Sequence, residues 1–187
     1  MASIEIYRLV RACARIDGGW LGLIWVVSFS CLIGGISYPM VQSGFTVLAL
    51  LSPFFVASRL KRFRNNSLNG TIGFFGALSY SLYCFFYAAL ILAMAQFVYF
   101  QYIDQGYFMG QIMASLTKPE MKQVLMAYGM TQAQLDTELN LLSQTRPIDF
   151  AISFLSFNIL IGAMLSLPIA LLLKSDRPLD TNTNNKH

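Results

Sequence analysis

The stretch GWLGLIWVVSFSCLIGGIS, residues 19–37, contains no charged side chain. A helix of this length rises about 1.5 Å per residue and spans roughly 28 Å, close to the hydrocarbon thickness of a bilayer. Proline cannot donate a backbone hydrogen bond and disrupts a continuing helix. We therefore predict a transmembrane helix that ends at Tyr38-Pro39.

Three further apolar runs follow, at about residues 41–58, 71–100 and 148–173. The second run begins so soon after the first that the two are expected to form a tight helical hairpin. The third exceeds the roughly 20 residues that cross a bilayer, so it must tilt or project from the membrane. The pattern predicts an all-α polytopic membrane protein with four transmembrane helices.

Composition agrees with a membrane domain at residues 19–173. The chain has 187 residues, of which 56% are hydrophobic and only 12% are charged, whereas a soluble domain is about 25% charged. The net charge of +4 comes from basic residues that flank apolar runs. No basic patch is interleaved with aromatic residues, so the sequence does not indicate nucleic-acid binding.

Lysine and arginine set the expected orientation, because cytoplasmic loops of membrane proteins are enriched in both. The basic loop after the second run contains Lys61, Arg62 and Arg64. Ten of the thirteen basic residues fall on the side of this loop and the termini: Arg8, Arg11, Arg15, Arg59, Lys61, Arg62, Arg64, Lys174, Arg177 and Lys186. Both termini are therefore predicted to be cytoplasmic, with residues 101–147 on the other side.

Residues 1–18 form a basic amphipathic segment, with Arg8, Arg11 and Arg15 on one helical face. We interpret it either as a short helix on the inner leaflet or as a simple topological anchor. A cleaved signal peptide is disfavoured, since the apolar run is long and no A-x-A site follows it. The tail at residues 174–187 is expected to be a disordered cytoplasmic segment.

The connection before the fourth run predicts an extracytoplasmic amphipathic helical hairpin at about residues 117–144. Thr117-Lys-Pro-Glu120 resembles a capping box with proline in the first turn. Gly129 is expected to end this first helix, and Thr131-Gln-Ala-Gln134 to start the second. The hairpin either caps the bundle or provides a docking surface for a partner or lipid.

Three charged residues lie near the outer ends of the third and fourth runs. Asp104 ends the third run, and Arg146 and Asp149 surround the start of the fourth. Asp149 suits the first turn of a helix, where a negative charge favours the helix dipole. Arg146 is able to pair with either carboxylate, so an outer-face polar cluster is one interpretation.

The fourth run carries a small or polar residue at every fourth position: Asn158, Gly162, Ser166 and Ala170. Residues four apart share a helix face, and small residues let helices approach closely in lipid. A looser stripe of Gly73, Ala77 and Ser81 begins the third run. We interpret both stripes as a helix-packing seam. The alternative is a polar pathway for an ion or substrate, which normally needs charged groups at mid-membrane.

Motifs of catalysis and cofactor binding are missing from the sequence. The one histidine is His187, and no P-loop, GxGxxG fingerprint or GxSxG elbow is present. The cysteines Cys13, Cys31 and Cys84 have no CxxC pairing and are interpreted as small buried hydrophobes. We therefore predict no catalytic residue, no metal site, no cofactor and no enzyme activity.

Four segments together carry a family resemblance: LKRFRNNSLNGTIGFFGALSYS at 60–81, YFQYIDQGYFMGQIM at 99–113, KQVLMAYGMTQAQLDTELNLL at 122–142 and LLLKSDRP at 171–178. In order and spacing they resemble the bacterial membrane family called domain of unknown function 4199, over roughly residues 18–175. This chain has fewer charges in its outer helices than members of that family usually have. The resemblance implies the same topology and a bacterial inner-membrane location, and it assigns no activity.

The sequence therefore favours a non-enzymatic integral membrane protein that acts by helix–helix association, as a scaffold, accessory subunit or envelope factor. The expected partners are the lipid bilayer and either a second copy or another membrane protein. The alternative is an oligomeric transporter or channel component for a small molecule, ion or lipid. A polar cavity at mid-membrane would favour transport, and a filled bundle would favour association.

Overall fold

The computed structural model describes residues 3–175, and these form helices joined by short turns. The helices are α1 (Ser3–Ser37), α2 (Pro39–Ser67), α3 (Phe74–Val98), α4 (Tyr107–Leu116), α5 (Pro119–Ala127), α6 (Gln132–Ser143) and α7 (Pro147–Leu173). A π-helical turn, Tyr99–Ile103, extends α3. Within residues 3–175 the only β-type pairing outside helices is an isolated bridge between Ile72 and Ser175.

Four of these helices are long and apolar enough to cross a membrane. They cover Glu5–Ser37, Met40–Ser67, Phe74–Ile103 and Pro147–Leu173. The prediction of an all-α protein with four candidate membrane spans is confirmed. Apolar composition alone was sufficient for it, because in lipid a helix is the simplest way to satisfy every backbone hydrogen bond.

The N-terminal basic segment is not separate from the first span. α1 runs without interruption from Ser3 to Ser37. Arg8, Arg11 and Arg15 are exposed, whereas Val10 and Ala14 are almost fully buried in a core shared with other helices. The segment is amphipathic as expected, but its apolar face packs against protein in the structure.

α2 continues well beyond the apolar run that ends at residue 58. The basic residues of the following loop lie within the helix, because lysine and arginine are good helix formers and hydropathy marks only the membrane-embedded part. The helix ends where Asn69 and Gly70 adopt positive φ angles of 50° and 87°. Residues 174 and 175 follow α7, and the expected disordered tail otherwise lies outside the described residues.

The chain divides into two compact units. Unit 1 contains residues 1–92 and 155–187, and its core draws on α1, α2, α3 and α7. Its largest fully buried side chains include Leu21, Leu60, Tyr80 and Phe85. The α1–α2 hairpin is tight, since a Cβ added at Gly35 would lie 2.8 Å from the Cα of Gln42.

Unit 2 contains residues 93–154 and holds the three short helices. α4, which the sequence analysis did not identify, contacts both α5 and α6. The ring of Phe100 lies 5.5 Å from that of Phe108 and 5.4 Å from that of Phe150, measured between centroids. The large apolar side chains of α5 are mostly exposed, and Tyr128 just after the helix is too: Val124 is 49% and Tyr128 88% exposed.

The helix-start signals of unit 2 had different outcomes. At Thr131 both bonds of the capping box are present, with Gln134 N to Thr131 Oγ1 at 3.3 Å and Thr131 N to Gln134 Oε1 at 2.8 Å. At Thr117 the predicted capping box is wrong. Its hydroxyl donates to Met113 O at 2.9 Å, because α4 ends immediately before it and offers free carbonyl groups.

Replacing Thr131 with alanine is expected to destabilise the start of α6 by about 1 kcal/mol, because the backbone N–H of Gln134 loses its side-chain acceptor. Amide hydrogen exchange should show roughly fivefold faster exchange at Gln134. Thr137→Ala is the matched control, since its hydroxyl bonds only to Ala133 O within the same helix. Equal exchange in the two variants would contradict the capping role.

Candidate functional site

The small-residue stripe of α7 lies mostly inside unit 1. Gly162, Ser166 and Ala170 are buried, and Asn158 is half-buried. A Cβ added at Gly162 would lie 2.6 Å from the Cβ of Phe85, so the glycine permits close approach of α7 to α3. Ser166 satisfies its hydroxyl within α7, donating to Gly162 O at 2.7 Å.

The second stripe, on α3, is only partly buried. Ala77 and Ser81 are fully buried, and the Ser81 hydroxyl donates to Ala77 O at 3.0 Å. Gly73 lies just before α3, is exposed, and has open space where a side chain would be. The α3 residue that meets Gly162 is Phe85, which lies outside the predicted seam.

The most unusual group in unit 1 is a charged cluster shared by three spanning helices. Arg59 of α2 forms an ion pair with Asp17 of α1, with Nε 3.3 Å from Oδ1. The hydroxyl of Tyr80 on α3 donates to the other oxygen of the same carboxylate. Tyr80 is fully buried, and the Asp17 side chain is 15% exposed. Each carboxylate oxygen thus has its own donor from a different helix.

Aromatic rings of α2 surround this cluster. The guanidinium of Arg59 lies 5.3 Å from the centroid of the Phe55 ring, within the range of a cation–π contact. The Phe63 ring stacks on Tyr80 at 5.1 Å. Phe55, Arg59 and Phe63 are spaced four residues apart and therefore share one face of α2. This face orients the cation and packs around the phenol.

A second polar link joins α1 to α2 further along the hairpin. The indole Nε1 of Trp25 donates to the Ser52 hydroxyl at 2.7 Å, and that hydroxyl donates to Leu48 O at 3.0 Å. The Ser28 hydroxyl reaches Phe45 O at 3.3 Å. These bonds satisfy polar groups inside apolar helices and fix the register of the hairpin.

Sequence reasoning missed the Asp17 cluster. Asp17 precedes the uncharged run at residue 19, so it was outside the span and received no role. A usable signal was the F-x-x-x-R-x-x-x-F spacing at Phe55, Arg59 and Phe63, which places one cation between two rings. The partner Tyr80 is 63 positions from Asp17, so only the folded chain brings them together.

The charged residues expected at an outer face divide into two groups within unit 2. Arg146 pairs with Asp149, with Nε 2.9 Å from Oδ2, and this hydrogen-bonded carboxylate raises the pKa of Arg146. Asp104 is buried and accepts from the backbone N of Phe108 at 2.9 Å. Asp104 therefore stabilises the start of α4, while Arg146 and Asp149 cap α7.

The basic residues that were interpreted as setting the topology lie near the C-terminal end of α2. Lys61 and Arg62 are exposed, whereas Arg64 donates from Nη1 to Leu173 O at 3.0 Å. Backbone bonds of 2.8 and 2.9 Å also join Ile72 to Ser175. The start of α3 and the ends of α2 and α7 are thus held together at one end of unit 1.

The chemistry of these groups is suited to holding helices together. Across residues 3–175, no cluster of three or more histidine, cysteine or acidic side chains is arranged to hold a metal ion. Cys84 is buried, and Cys13 and Cys31 are half-buried free thiols. A carboxylate held by a guanidinium and a phenol, with aromatic rings around it, is able to fix three helices against each other.

Four helices that are long and apolar enough to cross a membrane, three of them joined by a polar cluster, define a multi-pass membrane protein. Residues 17–175 match the model of a family described as protein of unknown function, DUF4199. The chain belongs to this family, as its sequence motifs indicated. It matches none of the curated proteins and none of the solved structures with which it was compared.

Proposed function

We propose that this protein acts without catalysis or cofactor, as a scaffold, accessory subunit or envelope factor of the bacterial inner membrane. It works by associating in the bilayer with a second copy or another membrane protein. The distribution of lysine and arginine supports an orientation with both termini in the cytoplasm and residues 101–147 outside. In this orientation α5 and α6 are an extracytoplasmic hairpin.

The observation that carries this proposal is how little of α2 the chain covers. Only 11% of an 18-residue apolar stretch of α2 is buried, whereas 39% of the corresponding stretch of α3 is buried. Thr46 and Ala49 are exposed and lie on one face of α2, where a polar or small surface replaces large aliphatic side chains. Lipid tails solvate polar groups poorly, whereas a partner helix can bond to them and approach closely at alanine.

The packing inside unit 1 also supports association over conduction. Phe85 occupies the space beside Gly162 where a side chain would lie. The adjacent cavity has a volume of about 280 Å³, and its lining residues are apolar or aromatic: Leu82, Tyr83, Phe85, Phe86, Ile159 and Ala163. An ion or polar substrate would need convergent polar groups along such a space. A cavity of this composition suits an apolar side chain or a lipid tail.

The test is Ala49→Trp, which places a bulky ring on the exposed face of α2. The protein would be extracted in mild detergent and its mass measured by native mass spectrometry. We expect the wild type to retain a stoichiometric partner or second copy and the variant to lose it, because close helix approach is blocked. Ser30→Trp is the matched control, since Ser30 is equally exposed but lies on α1.

A wild-type protein that is monomeric in mild detergent and in nanodiscs would contradict the proposal.

One specific observation favours the alternative function, transport. Asp17 and Arg59 form an ion pair within the spanning helices, and charges in membrane-spanning segments often mark ion pathways. A homo-oligomer that carries a bound small molecule and keeps its mass in Ala49→Trp would move transport ahead of association.

A further inference from the structure

An open groove of about 580 Å³ lies at the end of unit 1 where α1 begins and α7 ends. Three parts of the chain form it: the first turns of α1, the turn between α2 and α3 with the ends of these helices, and Ser175 after α7. The lining residues are Ile6, Tyr7, Val10, Ser67, Leu68, Asn69, Thr71, Ile72, Gly73, Gly76 and Ser175. Its volume falls within the roughly 300–1,000 Å³ typical of small-molecule sites.

The walls of this groove are held in place by contacts distant in sequence. Ile72 and Ser175 exchange two backbone hydrogen bonds of 2.8 and 2.9 Å. The guanidinium of Arg64 donates to Leu173 O at 3.0 Å. The Thr71 hydroxyl donates to Leu68 O at 3.0 Å, which stabilises the turn. The groove is therefore a preformed surface that does not depend on an occupant.

The lining combines two kinds of surface. Ile6, Val10 and Leu68 provide an apolar wall, and Ser67, Asn69, Thr71 and Ser175 provide hydroxyl and amide groups. Among the residues that the structure describes, no carboxylate lines the groove. No atom lies within 4 Å of the Cβ position of Gly73, so a larger side chain at this lining residue would occupy open space. An amphipathic molecule with an apolar tail and a polar head matches such a lining.

Charge complementarity selects the head group. Arg8 and Lys174 are exposed at this end of unit 1, as is one acidic residue, Glu5, and none of the three lines the groove. The same end of unit 1 carries Lys61 and Arg62, also exposed. Basic pockets at the end of a spanning bundle attract anionic lipid head groups. We propose that this groove binds an anionic phospholipid, with an acyl chain on the apolar wall and the phosphate near Arg8 and Lys174.

The site is tested by native mass spectrometry of the full chain in detergent, with phosphatidylglycerol or phosphatidylcholine added at equal concentration. We expect phosphatidylglycerol adducts to be at least about fivefold more abundant, since each nearby basic residue contributes roughly that factor. In Gly73→Leu the filled groove should lose the adduct. Gly19→Leu is the matched control, because its Cβ position also has open space and it lies outside the lining.

A charge variant keeps the proposal testable if Gly73→Leu does not fold. Arg8→Gln combined with Lys174→Gln should reduce the preference for phosphatidylglycerol by about fivefold or more. Equal binding of the two lipids, or unchanged adducts in both groove variants, would overturn the proposal. Loss of the adduct on addition of inorganic phosphate would also overturn it, because a free anion would then be sufficient. The outcome is independent of the α2 association test, whose variant lies outside the groove.

Discussion

Replacing Gly18 with leucine is expected to push α1 away from α3 and to lower the free energy of unfolding by about 3 kcal/mol, the upper end of the usual range for over-packed interiors. A Cβ at this position would lie 2.6 Å from the backbone oxygen of Cys84 and 2.9 Å from the Cβ of Tyr87. Neither atom belongs to the flexible end of a side chain, so the helices must separate.

The neighbouring residue Gly19 provides a control, because its replacement with leucine is not expected to lower the free energy of unfolding. Gly19 has nothing within 4 Å of its Cβ position. Within a helix, glycine is about 0.8–1 kcal/mol less favourable than alanine, and leucine ranks just below alanine. Gly19→Leu should therefore leave stability unchanged or raise it slightly. Both variants would be compared by denaturation with dodecyl sulfate in mixed micelles, followed by tryptophan fluorescence. Equal midpoints for the two would show that α1 and α3 are not in close contact at Gly18.

Removing the charge of Asp17 is the second change with a large expected effect. Asp17→Asn weakens the bonds from both Arg59 and Tyr80, and a hydrogen bond to a charged group contributes about 1.5–3 kcal/mol. Because the Arg59 side chain is 31% exposed and water can replace part of the pairing, we expect a total loss of about 2–3 kcal/mol. Tyr80→Phe should cost less, since the ion pair remains.

A double-mutant cycle separates this cluster from a general loss of stability. The effects of Asp17→Asn and Arg59→Gln should fail to add by about 1 kcal/mol, because each substitution removes the partner of the other. Asp136→Asn is the control, an exposed carboxylate of α6 whose loss should change stability by less than about 0.5 kcal/mol. Additive effects of Asp17 and Arg59 would exclude energetic coupling between them.

Particular residues explain where sequence reasoning was sufficient. The uncharged run at 19–37 and the break at Tyr38-Pro39 depend on local chemistry, namely bilayer thickness and the missing N–H of proline. The capping box at Thr131 is equally local, because its two bonds join residues three apart. α4 was missed, since its N-cap is Gly106 in a left-handed backbone conformation and the side chain that binds its first turn, Asp104, lies two residues before that glycine.

The candidate site was less accessible from the sequence. The stripe at Gly162, Ser166 and Ala170 was recognisable from its spacing, but its contact with Phe85 was not. Asp17 seemed to be a boundary residue because hydropathy assigns residues to a span without regard to how helices pack. Likewise, the exposure of α2 could not be predicted from composition, because all four spans have a similar apolar composition. How much of α2 is exposed depends on which helices pack against it.

The sequence by itself determined that this chain crosses a membrane as four helices, because each apolar run must satisfy its backbone hydrogen bonds internally. It also determined the family, through the order of short motifs within residues 17–175. Only the tertiary structure decided which polar groups meet: Asp17 with Arg59 and Tyr80, and Arg64 with Leu173. These pairings join residues distant in the chain, and they form only when helix packing has brought the spans together.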